Sequence, residues 1–181
     1  MGVIEIKETG IEGLVIIEPQ IHRDSRGYFV ETYNKNDLYA VGISYDFVQD
    51  NQSKSSRGVI RGLHFQKKHP QAKLVRVLEG EVFDVAVDLR KDSKTFGLWY
   101  GVTLSETNMK QFMIPRNFAH GFKVLSDYAV FAYKCDDFYH PGDEAGIIWN
   151  DSDLNIEWPE PDNVILSEKD KIHPSFKEIF Q

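Results

Sequence analysis

The chain has 181 residues, of which 41% are hydrophobic and 27% are charged, and its formal net charge at pH 7 is -7. This length fits a single domain with a substantial core, and the composition is that of a globular protein rather than a disordered one. The negative charge argues against nonspecific binding to nucleic acid, because such binding needs a basic surface that neutralises phosphates. We therefore expect one domain over residues 1–181 and no nucleic-acid partner.

Features of the sequence also bear on location. The single Cys135 cannot form an intrachain disulfide, and residues 1–7 lack the apolar core of a secretory signal. No apolar run approaches the roughly 20 residues that a membrane-spanning helix needs. We expect a cytoplasmic protein that does not associate with membranes.

Short apolar or alternating segments, separated by Gly, Pro, Asn and Asp, follow one another from Leu14 to Trp149. This pattern is typical of an antiparallel sandwich or barrel. The predicted strands are 14–19, 27–33, 44–51, 59–66, 74–80, 81–88, 99–104, 111–114, 120–124, 129–135 and 145–149. Two short helical segments are predicted, one over 35–40 after an Asn34 cap and one turn near 167–170.

The two ends of the chain have separate predictions. Val3, Ile4 and Ile6 lie in an otherwise polar amino-terminal segment, which predicts a strand that pairs with the sheet of a second chain. Pairing within the chain's own sheet is the alternative. The tail from Trp158 onwards is predicted to be an irregular wrap that packs on the sandwich and delivers a functional carboxylate.

Residues 73–88 give the clearest hairpin, because Glu79-Gly80 supplies a turn between two alternating segments. Alternation in the second arm places Asp84 on a face that is otherwise partly apolar. A carboxylate in that position needs a partner.

Residues from well-separated strands could perform acid-base chemistry. His64, His120 and Tyr133 are the candidate proton-transfer groups, with Lys73 as a candidate stabiliser of an oxyanion. Asp84 and Asp170 are candidates to orient a histidine. Structural histidines and a packing tyrosine are the alternatives, so the hypothesis depends on the set and not on any one residue.

Arg61 and His64 differ by an odd number, so in a regular strand their side chains would point to opposite faces. Gly62 lies between them, and glycine tolerates the backbone of a β-bulge. We predict a bulge at Gly62 that turns both side chains toward one pocket.

The segment 114–122, which contains His120, resembles the second motif of the cupins. Metal-binding cupins use that histidine together with a His-x-His pair and a glutamate, but the earlier motif here reads His64-Phe65-Gln66. Because the second histidine of the pair is missing, we expect no metal.

Cations and polar groups are also available for an anionic ligand. Arg61 and Lys73 could bind phosphate together with Arg26, although Arg26 could equally form only a solvated turn with Asp24. Further candidates for ligand contact are Gln49, Asn51 and Glu31 as hydrogen-bonding groups, and Tyr28, Phe29 and Phe138 as stacking surfaces.

Several motifs in the same order resemble those of the dTDP-4-dehydrorhamnose 3,5-epimerases, which are deoxysugar-biosynthesis enzymes of the cupin superfamily. The resemblance covers nearly the whole chain. It depends on Arg26-Gly27-Tyr28-Phe29, Phe47-Val48-Gln49-Asp50-Asn51, Arg61-Gly62-Leu63-His64-Phe65-Gln66, the segments 80–88 and 115–122, and Ile148-Trp149-Asn150-Asp151.

The resemblance implies an all-β antiparallel jelly-roll (cupin) sandwich with a few short helices, which forms a homodimer. It implies inversion of C3 and C5 of dTDP-4-dehydro-6-deoxy-glucose without a cofactor. His64 would be the base oriented by Asp170, Tyr133 the acid on the opposite face of the sugar, and Lys73 the stabiliser of the C4 enolate. These roles fit the chemistry, because inversion needs two proton-transfer groups on opposite sides of the sugar.

The resemblance also implies residues that hold the substrate. Arg61 and His120 would line the sugar pocket, with Asp84 in support. The nucleotide-sugar contacts would be Arg26, Glu31, Gln49, Asn51, Glu144 and Lys169, some of them from the partner subunit. Many members of the family place a tyrosine where Phe138 stands, so stacking on thymine is expected to survive and a phenol hydrogen bond to be lost.

Three other functions remain open at this point. A C3-only epimerase on a related nucleotide sugar would keep the same histidine and tyrosine. A catalytically silent cupin that binds a nucleotide sugar would use them only as pocket lining. A metal-dependent cupin oxygenase is the third.

Overall fold

The computed structural model describes residues 4–180, and the predicted pairing of Val3 lies outside them. The chain forms strands Ile4–Glu8 (β1), Val15–Pro19 (β2), Ile21–Asp24 (β3), Gly27–Val30 (β4), Gln49–Ser56 (β5), Ile60–Gln66 (β6), Lys73–Glu79 (β7), Glu81–Asp88 (β8), Trp99–Ser105 (β9), Gln111–Ile114 (β10), Phe118–Val124 (β11), Tyr128–Cys135 (β12) and Glu144–Gly146 (β13). The helices are Lys35–Ala40 (α1) and Phe176–Phe180 (α2), with a 3-10 turn at Asp170–Ile172.

The strands form two antiparallel sheets and one small hairpin. The first sheet has the order β1-β2-β10-β7-β12-β5, the second has the order β13-β6-β11-β8-β9, and β3 pairs only with β4. This architecture confirms the predicted all-β antiparallel sandwich with few helices. No helix within residues 4–180 has the length and apolar character to span a membrane.

Alternation along the strands builds three apolar layers. Phe112, Phe122 and Phe131 belong to the central cluster between the sheets. Val85 and Val87 face outward and pack with residues of the carboxyl-terminal segment, as the alternation predicted for β8. Both faces of the second sheet are therefore buried, and its inner face can carry polar residues toward a cavity at one end.

The carboxyl-terminal segment is fixed to the outer face of the second sheet, as predicted. Trp158 is 6% exposed and donates from Nε1 to the Trp149 carbonyl at 2.8 Å. The ammonium of the fully buried Lys123 donates to the Pro159 carbonyl at 2.7 Å. These contacts hold the chain that leads to Asp170, the first residue of the 3-10 turn.

Several strand predictions differ from the structure, and the predicted strand 27–33 already ends at Val30. The predicted strand 44–51 begins only at Gln49, because Tyr45 and Phe47 pack as side chains on the outer apolar cluster of the first sheet. The predicted strand 145–149 is limited to Glu144–Gly146, and β3 had no strand signal in the sequence. The polar strand β5 pairs along its whole length with β12, so its register is set by backbone hydrogen bonds and not by burial of apolar residues.

The amino-terminal strand pairs within its own chain. β1 runs antiparallel to β2, with Ile6 opposite Ile17, at the edge of the first sheet. Ile4 and Ile6 therefore pair within the chain's own sheet, which was the alternative to the predicted pairing with a second chain. The predicted α1 is confirmed, and the Asn34 side chain caps it by accepting a hydrogen bond from the Asn36 amide at 3.0 Å.

The predicted bulge in β6 is confirmed. His64 lies opposite His120 and Arg61 lies opposite Phe122, so three steps along β6 match two along β11. Gly62 has a φ of +134°, and a Cβ at this position would lie 2.4 Å from the Gly121 Cα. The extra residue puts Arg61 and His64 on the same face of β6. Of the two, only His64 lines the cavity between the sheets, because Arg61 is exposed, so the prediction that both side chains turn toward one pocket is confirmed only for His64.

We expect Gly62→Ala to destabilise the fold more than Gly27→Ala does. The two glycines have φ values of +134° and +132°, but nothing lies within 4 Å of a Cβ at Gly27. The backbone strain of about 1–3 kcal/mol is then common to both variants. The clash with β11 adds about 1–3 kcal/mol at Gly62 alone.

Thermal and urea unfolding of the two variants measures this difference. Equal losses of stability in the two variants would show that β11 does not constrain the bulge.

Candidate active site

A cavity of about 310 Å³ lies between the two sheets at one end of the sandwich. This volume is at the lower end of the range for ligand sites, about 300–1,000 Å³. The first sheet contributes residues from β5, β7 and β12, and the second contributes residues from β6, β11 and β13. The lining residues are Gln49, Asn51, His64, Phe65, Gln66, Pro70, Gln71, Lys73, Asn117, Phe118, Tyr133, Tyr139 and Glu144.

His64 enters the cavity from β6 and is held by Asp170. Its Nε2 lies 2.6 Å from Asp170 Oδ1, and the Asp170 side chain is only 5% exposed. Burial would raise the pKa of Asp170, but the hydrogen bonds from His64 and Ser167 outweigh burial and lower it. An ionised Asp170 accepts a hydrogen bond from the Nε2–H group of His64. In the neutral ring, Nδ1 is then the nitrogen that has a free lone pair.

Lys73 enters from β7, on the opposite sheet. Burial lowers the pKa of its ammonium, and the nearby Cys135, Asp84 and Glu144 oppose that shift. None of the hydrogen bonds and ion pairs among residues 4–180 uses this ammonium. A desolvated cation of this kind strongly favours an anionic partner, either a bound anion or an oxyanion that forms during a reaction.

Tyr133 enters from β12 on the same sheet as Lys73. Burial raises the pKa of its phenol, a shift that Cys135 reinforces and the Arg61 guanidinium opposes. Tyr133 therefore stays protonated at neutral pH and can give up a proton. Its neighbour Cys135 is buried, and burial raises the pKa of the thiol to about 11.

His120 and Asp84 form a second buried pair behind the cavity. Nε2 of His120 lies 3.0 Å from both carboxylate oxygens of Asp84, which is fully buried. Burial raises the pKa of Asp84 and lowers that of His120, each opposed by attraction to the other group. His120 is thus the partner that the alternation in β8 predicted for the Asp84 carboxylate.

Polar side chains line the side of the cavity formed by β5 and β13. Gln49 Nε2 donates to Asn51 Oδ1 at 3.1 Å, and its Oε1 accepts from the Tyr139 amide at 2.9 Å. Glu144 forms an ion pair with Lys169, which lowers the pKa of Glu144 although burial would raise it. Of the predicted ligand contacts, Gln49, Asn51 and Glu144 therefore line the cavity, and Lys169 is attached to it through Glu144.

The remaining predicted ligand contacts occupy different positions. Arg61 Nε donates to Ser55 Oγ at 3.0 Å, close enough to Tyr133 to affect its pKa. Arg26 lies in the β3–β4 hairpin with its side chain 88% exposed and paired to Asp24, as the solvated-turn alternative described. Glu31 accepts from Asn34 at 2.8 Å, so within one chain neither hairpin candidate lines the cavity.

Tyr139 is one of the lining residues that the sequence reasoning missed; Phe65, Gln66, Pro70, Gln71, Asn117 and Phe118 are the others that were not named as ligand contacts. Phe138 is 59% exposed and does not line the cavity, whereas the next residue, Tyr139, lines it and donates from its hydroxyl to Glu144 at 3.4 Å. The only signal in the sequence was a pair of adjacent aromatic residues. The stacking role assigned to Phe138 stays a prediction, and of these two adjacent aromatic residues only Tyr139 lines the cavity.

His173 was also missed. Its side chain is 7% exposed, and its Nε2 lies 3.3 Å from Asp170 Oδ1 without a hydrogen bond. The ring packs edge-on against His64, with the centroids 5.6 Å apart. The spacing of three residues from Asp170 was the only hint in the sequence.

Together these groups can move protons on a bound ligand. His64 enters the cavity from one sheet and Tyr133 from the other, and Lys73 enters the same cavity from β7, the strand that pairs with the strand of Tyr133. This arrangement suits removal of a proton next to a carbonyl, stabilisation of the enolate, and return of a proton to the opposite face.

Comparisons with known proteins agree with this chemistry. The family model for dTDP-4-dehydrorhamnose 3,5-epimerase matches residues 8–178. A curated dTDP-4-dehydrorhamnose 3,5-epimerase of Methanothermobacter thermautotrophicus is 54% identical, and the alignment covers 91% of this chain and 90% of that protein.

Solved structures extend the comparison. A dTDP-6-deoxy-D-glucose-3,5-epimerase from Legionella pneumophila, in complex with dTDP-4-keto-L-rhamnose, is 52% identical with a TM-score of 0.94, over 97% of this chain and 94% of that chain. A double mutant of a 3′-monoepimerase from Streptomyces bikiniensis, in complex with dTDP, is 32% identical with a TM-score of 0.87, over 94% and 87% of the two chains. The match along residues 8–178 and the identities above 50% over nine-tenths of the chain show that this protein belongs to the dTDP-4-dehydrorhamnose 3,5-epimerase family.

Proposed function

We propose that the protein inverts C3 and C5 of dTDP-4-dehydro-6-deoxy-D-glucose and so produces dTDP-4-dehydro-L-rhamnose for dTDP-rhamnose biosynthesis. The observation that carries this proposal is the placement of His64 and Tyr133 on opposite sheets of one cavity, which Lys73 enters from the strand next to that of Tyr133. Membership of the epimerase family supports the choice of substrate.

The ketone at C4 of this sugar acidifies the hydrogens at both C3 and C5. Loss of either proton gives an enolate whose charge rests on the C4 oxygen. A single cation at that oxygen therefore serves both inversions, and Lys73 has the desolvated ammonium for this role. The scheme calls on no cofactor, which stays a prediction of the account.

His64 is the proposed base, acting through Nδ1. Asp170 fixes the ring orientation through the 2.6 Å contact at Nε2 and stabilises the imidazolium that forms. Tyr133 is the proposed acid, because its raised pKa keeps the phenol protonated until it donates to the other face of the sugar. Neither group alone could invert a carbon.

The sugar and the nucleotide need separate contacts. Arg61 and His120 are proposed to contact the sugar, with Asp84 holding His120 in place. The proposed nucleotide-sugar contacts within the chain are Gln49, Asn51, Glu144 and Lys169. Tyr139 is a better stacking surface for thymine than Phe138, because its ring is in the cavity wall.

We also propose a homodimer in which each site is completed by the partner subunit. Arg26 and Glu31 lie outside the cavity of their own chain, and the adjacent Tyr28 and Phe29 are 58% and 67% exposed. A hairpin that carries an arginine and two exposed aromatic side chains suits a role in a second subunit's nucleotide site. The proposal includes one domain per chain and a cytoplasmic location.

A C3-only epimerase remains the second candidate, because a 3′-monoepimerase shares the fold with a TM-score of 0.87. The same base, acid and cation would serve either reaction, so the difference lies in how the sugar is held. Exchange of hydrogen at each carbon separates the two functions.

We expect the wild-type enzyme in D2O to incorporate deuterium at both C3 and C5 of the substrate. His64→Ala should lower both exchange rates by at least about 100-fold, because the base is removed. It should leave dTDP affinity within about threefold, since no nucleotide contact changes. NMR of the sugar protons and calorimetric titration with dTDP measure the two effects.

Deuterium at C3 alone would identify a C3-only epimerase. Full exchange by His64→Ala would remove His64 from the role of base. A matched control is His140→Asn, a histidine outside the cavity lining, which should exchange at wild-type rates.

Shared sites predict complementation between inactive dimers. Random mixing of Arg26→Glu and His64→Ala subunits makes about half of the dimers mixed, and each mixed dimer has one site with both wild-type residues. We therefore expect recovery of about a quarter of the wild-type turnover after unfolding and refolding the mixture.

A mixture of His64→Ala with Tyr133→Phe is the control. Both residues lie in the cavity of one chain, so every site retains a lesion and turnover should not recover. Absence of recovery in the Arg26→Glu mixture would show that the hairpin does not serve the partner's site.

A further inference from the structure

A cluster of two histidines and one carboxylate lies directly behind the proposed base. His64, Asp170 and His173 each offer a ligand atom, and these atoms all lie within 4.8 Å of one another. The cluster is distinct from the cupin metal motif, since of that motif's histidines it contains only His64. His173 takes no part in the proposed reaction.

The geometry is close to that of a three-ligand metal site. Two ligands of a tetrahedral Zn²⁺ lie about 3.4 Å apart, given metal-ligand bonds of about 2.0–2.1 Å. His173 Nε2 and Asp170 Oδ1 are already 3.3 Å apart, and His64 Nε2 lies 2.6 Å from the same oxygen. A shift of less than about 1 Å in His64 would open the site to the ion.

His173 carries the strongest indication of a missing ligand. Its side chain is 93% buried, yet its Nε2 makes no hydrogen bond within the described residues, although it lies 3.3 Å from Asp170 Oδ1. Buried polar atoms are nearly always paired, so an unpaired nitrogen of this kind requires an explanation. A metal ion between His173 and Asp170 would pair it.

The surrounding charge permits a cation. Asp170 supplies a buried negative charge at the cluster, and the ammonium of the nearby Lys169 is neutralised by its ion pair with Glu144. His64 has a side chain that is 28% exposed at the cavity, so an ion can enter from that side and keep a water molecule as fourth ligand.

We propose that His64, Asp170 and His173 form an inhibitory site for Zn²⁺ or a similar divalent transition-metal ion. The ion would replace the proton on His64 Nε2, and that proton would move through solvent to Nδ1 without net release. A protonated Nδ1 cannot accept a hydrogen from the sugar, so the bound ion would block the base. The inhibition rests on the proposed function, whereas the binding does not.

The experiment is a titration of the metal-free protein with ZnCl₂, without substrate, by calorimetry. We expect one Zn²⁺ per chain in the wild type and an affinity at least about tenfold weaker in His173→Asn. His173→Cys restores a zinc ligand and should bind more tightly than His173→Asn. His140→Asn, which changes a histidine stacked on His69 outside the cluster, is the matched control and should bind like the wild type.

The same titration with the D2O exchange assay tests inhibition. Exchange should fall as Zn²⁺ occupies the wild type and should persist in His173→Asn at the same concentration. Equal zinc affinity in the wild type, His173→Asn and His173→Cys would overturn the site, as would full exchange by the zinc-loaded wild type. A wild-type enzyme that fails to exchange before zinc is added would instead contradict the proposed function.

Discussion

The contact between His64 and Asp170 connects two residues that are 106 positions apart in the chain. His64 depends on the bulge in β6, because without the extra residue at Gly62 its side chain and that of Arg61 would face opposite ways. Asp170 depends on the carboxyl-terminal segment, which is anchored to the outer face of the second sheet. The site therefore exists only when the sandwich and its covering segment are both folded.

Polar residues inside a sandwich cost desolvation energy, and this protein confines them to one end. The central cluster of aromatic and aliphatic residues fills the rest of the space between the sheets. At the cavity end, Asp84 and His120 satisfy each other while Lys73 does not have a partner among the described residues. The unpaired ammonium gives the site its affinity for negative charge, in keeping with the enolate that the proposed reaction produces.

The sequence predicted most strands, the short helix after Asn34, the bulge at Gly62 and a partner for Asp84, because alternation and glycine have direct backbone consequences. It started β5 too early, because Tyr45 and Phe47 gave an apolar alternation that belongs to side-chain packing, and ended it too early, because every residue from Gln49 to Ser56 is polar. His173 and Tyr139 were missed because their importance comes from contacts with distant segments. The hairpin candidates Arg26 and Glu31 came from their residue types and from family resemblance, and a single chain does not bring them to the cavity.

The central claim is that His64 and Tyr133 act on opposite faces of one sugar. Tyr133→Phe tests it most directly, because the base remains and only the acid is lost. In D2O this variant should still exchange hydrogen at C3 and C5 through His64 but should form inverted product at least about 100-fold more slowly than the wild type. Inversion at the wild-type rate would contradict the account, and loss of exchange together with inversion would show that Tyr133 is needed before the proton leaves.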